Sequence, residues 1–143
     1  MPGFSTAKAW DTLNHELRTG TNAKRGANYL SLHTGDPTDA GLTTLEFPFA
    51  NGYARVLLPM ADATWTAPAT VGGVDQVANA INITFGDPTD DWAGGANATH
   101  FGIWTASTAG IMVFSGVIGT PRPVTALDNA PTFAAGAFII QLQ

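Results

Sequence analysis

The side chains best placed to do chemistry are aspartates. The pentapeptide GDPTD occurs twice, at 35–39 and 86–90, and the likeness reaches back through ANYLSLHT (27–34) and ANAINITF (78–85). Oxygen ligands at alternate positions are what a calcium loop requires, and DPTDDWAGGANA offers them from Asp87, Thr89 and Asp91. Position six is Trp92 where an EF-hand needs glycine, and position twelve is Ala98 where it needs a bidentate glutamate. That motif is excluded, while an irregular loop site of Asp87, Asp90 and Asp91 stays open. The rival reading is mechanical. Gly35 and Gly86 free the backbone where a strand ends. Asp36 and Asp87 can accept the amide two residues on. Pro37 and Pro88 carry the φ of a type I turn, which Asp39 and Asp90 complete.

Other constellations are absent. His15, His33 and His100 are far apart and lack zinc-site spacing. His33 and His100 fall in expected strands, where packing explains them. There is no cysteine, which removes thiolate ligands, redox motifs and disulfides. Neither a nucleophile elbow, a phosphate loop nor a dinucleotide fingerprint occurs. Glu16 and Glu46 are the only glutamates, so a glycosidase pair would have to come from turn aspartates. Trp65, Trp92 and Trp104 could form a stacking platform for sugar, or serve core or interface packing. The expectation is a protein that is not an enzyme, with no catalytic residue, metal or cofactor.

The elements that would position these residues are mostly strands. Only the start of the chain has a helical period: Phe4, Ala7, Trp10, Leu13 and Leu17 form one apolar stripe, with Ser5 or Thr6 as cap and Gly20 as stop. From Ala27 the period is two, with Leu30 and Leu32 set against Tyr29, Ser31 and His33. Further alternating runs are GYARVLL, ADATWT, AINITF, THFGIWTA, GIMVFSGVI, RPVTAL and AFIIQLQ, separated by Gly, Pro, Asn and Asp clusters. Longer loops are expected at 40–51 and 66–77. The pattern predicts an all-β, jelly-roll-like antiparallel β-sandwich of about eight strands with one short N-terminal helix. Its expected parts are a helix and basic connector at 1–25 and a sandwich domain at 26–143. Leu30, Leu32, Ile81, Ile83, Phe85, Phe101, Ile103, Val113 and Ile139 should face inward, with the two copies of the repeat in related places.

Charge narrows the partners. A net charge of −5 argues against binding nucleic acid through phosphate neutralisation. No apolar signal core or membrane-length run occurs, so a soluble chain with no membrane partner is expected. Charged residues make up 12% of the chain, about half the usual share of roughly 25%. A neutral surface of small residues suits a protein covered by neighbours, or an ordinary β domain with threonine on its outer faces. Lys8, Arg18, Lys24 and Arg25 sit together near the start of an otherwise acidic chain.

The order YLSLHTGDPTDAG, NGYARVLL, ITFGDPTDDWAGGANATHFGIWTASTAGIMVFSGVI and PTFAAGAFIIQL resembles a family of small jelly-roll virion proteins of tailed phages. It is similar in size and plan to the cement (capsid decoration) protein of a Bordetella phage. The resemblance implies a structural protein on the outer surface of the capsid, made in the bacterial cytoplasm. It would bind the major capsid protein of an HK97-type shell across capsomer joints and self-associate as a dimer. The alternative is a tail-fibre or receptor-binding module that recognises host surface glycan. Charge and helical placement make Lys8, Trp10, Arg18, Lys24 and Arg25 the expected capsid or intersubunit contact.

Overall fold

The computed structural model describes residues 3–5, 7, 12, 17 and 27–142. Among the described residues ten strands run in the order β1 (Gly3–Phe4), β2 (Ala27–His33), β3 (Val56–Pro59), β4 (Ala69–Val71), β5 (Val74–Ala78), β6 (Ile83–Thr84), β7 (Asn97–Trp104), β8 (Met112–Pro123), β9 (Thr132–Phe133) and β10 (Ile139–Leu142). They form a five-stranded sheet (β1-β8-β7-β2-β3), a three-stranded sheet (β10-β5-β4) and a β6-β9 pair. Every pairing is antiparallel. Distant strands pair in nested fashion: β1 with β8 encloses β2 with β7, and β5 with β10 encloses β6 with β9. Such nesting is how a paired ribbon rolls into a jelly-roll-like sandwich.

The period of two decides what fills the interior. Leu30 and Leu32 of β2 lie opposite Ile103 and Phe101 of β7, and all four are buried. They meet Phe138 and Ile140 from the opposing layer, with the rings of Phe101 and Phe138 edge to face at 5.1 Å. At one end a second aromatic group (Phe47, Tyr53, Phe85 and Trp92) extends the same core.

Several sequence expectations need correction. Ile81 and Ile139 are exposed, at 41% and 36%. Leu30 and Leu32 belong to a central strand, whereas Ile83 lies in a two-residue strand and Ile81 precedes it, so the two copies do not occupy related places. The stretch 66–77 is no loop but contains the β4–β5 hairpin, since Gly72 and Gly73 supply the two positive φ angles of a tight turn. Conversely, ADATWT is a turn with a single bridge from Trp65 to Asn79. Phe4 does not join the helical stripe; it sits in β1 opposite Phe114. Ala7, Thr12 and Leu17 have helical backbone, and the rest of that segment lies outside the described residues.

Gly116 tests the packing between layers. A Cβ there would stand 2.5 Å from the Phe101 ring and 3.0 Å from the Ile139 carbonyl, whereas at Gly119 it would meet nothing within 4 Å. Gly116→Ala should lose about 1–3 kcal/mol in urea unfolding. Gly119→Ala should stay within about 0.5 kcal/mol of the parent. Equal values for the two variants would contradict this packing.

Candidate functional site

The polar residues converge on the face of the large sheet that turns away from the aliphatic core. Ser31 and His33, alternating with Leu30 and Leu32, point to this face. Ser31 Oγ lies 2.7 Å from His33 Nε2, the contact a nucleophile and its base would make. Three features remove that chemistry. Both side chains are fully buried. Trp104 Nε1 donates to Ser31 Oγ at 2.7 Å, and the hydroxyl reaches the Gly102 carbonyl at 3.3 Å. No carboxylate among the described residues orients the imidazole, whose Nδ1 is buried without a hydrogen bond. Burial, reinforced by the Arg55 guanidinium, lowers the His33 pKa to about 4, so the ring is neutral at physiological pH.

Beside this group lies a buried ion pair. Arg55 donates from Nε to Glu46 Oε1 and from Nη2 to Oε2, both at 2.7 Å. Its Nη1 donates to the carbonyls of Ala109 (2.7 Å) and Ala106 (3.1 Å). The guanidinium carbon stands 3.9 Å from the centre of the Trp104 ring. Tyr53 donates to Glu46 Oε1 and accepts the Leu32 amide. Burial, then the neighbouring carboxylate, pushes the Tyr53 pKa far above its ordinary value. The arrangement joins loops to a sheet and offers no group for reaction. Sequence reading missed it, although one signal was available: beyond residue 26 the only cations are Arg55 and Arg122, and Arg55 stands in an apolar alternating run.

The two pentapeptides use their aspartates differently. In the first copy, Asp36 accepts the Thr38 amide at 2.8 Å, a local turn, while Pro37 is buried and Asp39 exposed. In the second, Asp87 accepts the distant Ala130 amide, and Asp91 that of Ala126; Asp90 accepts the amide of Asp91. Pro88 is again buried. Gly86 is demanded by contact, since a Cβ there would lie 2.6 Å from the Gly52 carbonyl; at Gly35 it would meet only the Leu45 side chain, at 3.1 Å. Among the described residues no group of three or more His, Asp or Glu could hold a metal ion.

The tryptophans do not form one platform. Trp92 is in the core and donates to the Asn51 carbonyl, and Trp104 is sealed between Arg55 and His33. Of the described tryptophans, Trp65 alone is half-buried. Lys8, Trp10, Arg18, Lys24 and Arg25 lie outside the described residues.

The chain is an all-β sandwich that turns many of its polar groups onto its own loops. Its origin follows from comparison with known families: the model described as "Podophage GP4 fiber I protein gp80" matches residues 3–141. The chain belongs to this family and is a structural protein of a phage virion. The match carries the phage-virion part of the sequence resemblance but does not extend to the Bordetella cement protein. No curated protein matches the chain.

Two outcomes check the buried polar network. Arg55→Met or Glu46→Gln leaves a buried group unpaired and should cost about 3–5 kcal/mol in chemical denaturation; a loss below 1 kcal/mol would show that the pair is dispensable. For His33, the folded pKa lies below the unfolded value, so the unfolded state binds the proton first. Its contribution is complete above about pH 6.5 and disappears as pH falls toward 4, by about 3 kcal/mol in all. Unfolding at pH 7, 6 and 5 should show this slope, and His33→Phe should flatten it.

Proposed function

We propose that this protein is a non-catalytic subunit of a phage fibre that works by packing against neighbouring virion proteins. The observation that carries this reading is the match to a fibre family over nearly the entire chain. The composition supports it, with charged residues at 12%. So do the exposed side chains of Leu42, Leu45, Phe49 and Ile111, apolar area of the kind that neighbours cover.

The competing reading is the capsid cement, with the major capsid protein of an HK97-type shell as partner. It rests on the strand motifs, whose order resembles that of a cement protein of similar size and plan. In either role we expect self-association, with Lys8, Trp10, Arg18, Lys24 and Arg25 meeting an acidic face of a neighbouring subunit. Specific interfaces bury about 1,200–2,000 Å² in total, and symmetry-repeated copies add avidity.

Gold labelling of virions in the electron microscope, combined with quantitative mass spectrometry, separates the two roles. The fibre reading expects label on fibres and far fewer copies than the major capsid protein. Label over the whole head, at a copy number rivalling that protein, would overturn it in favour of cementing. Because Gly3 and Phe4 pair with β8, charge reversal is a cleaner test of the basic segment than truncation. Changing Lys8, Arg18, Lys24 and Arg25 to Glu should weaken incorporation, and wild-type attachment should weaken as salt rises. Unchanged incorporation would place the contact elsewhere.

A further inference from the structure

Polar side chains in this protein are largely engaged with its own backbone. Asp36, Asp87, Asp91 and Asp128 accept amides, Asn82 accepts the Ala135 amide, and Asn79 binds two carbonyls and an amide. Three groups that depart from this habit lie together. The Asn28 carboxamide, the Asp62 carboxylate and the Trp65 indole N–H have no hydrogen-bond partner among the described residues. None of the three is sealed from solvent. All line one groove of about 560 Å³, whose remaining wall is Met60, Ala61 and Ala67 with their neighbours. That volume falls within the ~300–1,000 Å³ of sites that hold a small ligand.

The groove is rigidly framed. Asn28 sits in β2, paired with Leu58 of β3. The turn closed by the Thr64 amide on the Ala61 carbonyl carries Asp62 at its tip. Trp65 is held by its bridge to Asn79 and by backbone bonds on both sides, from Thr66 to Ala78 and from Ala80 to Thr64. Asn79 is itself fixed by three side-chain bonds.

We propose that this groove is a carbohydrate site that takes a neutral or amino-substituted pyranose. An indole face suits the flat C–H side of a sugar ring. The carboxylate accepts hydroxyl protons, while the carboxamide both donates and accepts. With no cationic group on the wall among the described residues and a net charge of −5, phosphate-bearing ligands and acidic sugars are disfavoured. The inference deepens the fibre reading and rests on it only for the source of the sugar, a host surface glycan.

Saturation-transfer NMR on the full chain, with glucose, galactose, N-acetylglucosamine, glucosamine and glucuronate as probes, tests the proposal. Transfer is expected to the ring protons of at least one neutral or amino sugar. It should be lost in Trp65→Ala and weakened about tenfold or more in Asp62→Ala, the loss of one charged hydrogen bond. Asp39→Asn, outside the groove, should bind as the parent does. Should circular dichroism show that Trp65→Ala does not fold, the Asn28→Ala/Asp62→Ala double variant decides by the same criterion. No transfer to any probe, preference for glucuronate, or undiminished transfer in these variants would overturn the proposal. Sugar binding by a protein that labels the head would remove the fibre reading and keep the groove. Fibre label without sugar binding would do the reverse.

Discussion

The Arg55–Glu46 pair is the interaction on which the rest of the architecture depends. Removing two charges from water costs several kcal/mol for each, offset only when geometry is good and remaining donors are filled. Here both carboxylate oxygens are engaged, and the guanidinium also caps two carbonyls and lies over an indole. The pair thereby fixes three segments that no ladder joins continuously: the long loop carrying Glu46, the approach to β3, and the loop between β7 and β8. Trp104 carries the connection onward through Ser31 to His33. One face of the large sheet is thus covered by hydrocarbon and the other by a polar stack. That double cover explains why Phe101, Gly102, Ile103 and Trp104 are buried in succession rather than alternately.

The same pentapeptide acquires two roles because its surroundings differ. In the first copy the aspartate serves its own turn, and the following loop is held by the ion pair. In the second, the carboxylates reach across to the segment after β8, and the turn rests against Asn51 and Gly52. The Thr89 amide donates to the Asn51 carbonyl at 3.0 Å, and the Trp92 indole donates to it at 2.7 Å. A turn motif specifies local backbone geometry, while the partners of its free oxygens are set by whatever the fold brings near.

That distinction marks what was legible in the sequence. Alternation placed Leu30, Leu32, Phe101 and Ile103 inward and announced an all-β sandwich, because strand period and burial are coupled locally. The β4–β5 hairpin went unread although VGGV carries its turn, since Ala69, Thr70 and Val71 are all exposed and show no inward face. Ile81 and Ile139 were misplaced because the residues flanking them, rather than their own apolarity, set which side meets the core. The site was less legible still. Glu46 and Arg55 are nine residues apart, and their meeting depends on the path of a loop. Trp92 and Trp104 look like Trp65 in sequence and differ from it in burial and in the partners of their indole N–H.

A structural protein must keep its shape, and the polar side chains show how this chain does so. Helices and long continuous ladders stiffen many proteins, whereas here β3, β4, β6 and β9 have two to four residues each. Loops make up much of the surface, and left to themselves they would be mobile. The buried ion pair and the aspartate-to-amide bonds hold them. Glu46 and Arg55 are turned inward, and Asp36, Asp87 and Asp91 are tied to backbone, while apolar side chains such as Phe49 and Ile111 stand exposed on the frame so held. The ordered loops thus depend on a few ionic groups, Glu46 and Arg55 in one place and Asp36, Asp87, Asp91 and Asp128 in others, that serve the protein's own backbone and loops.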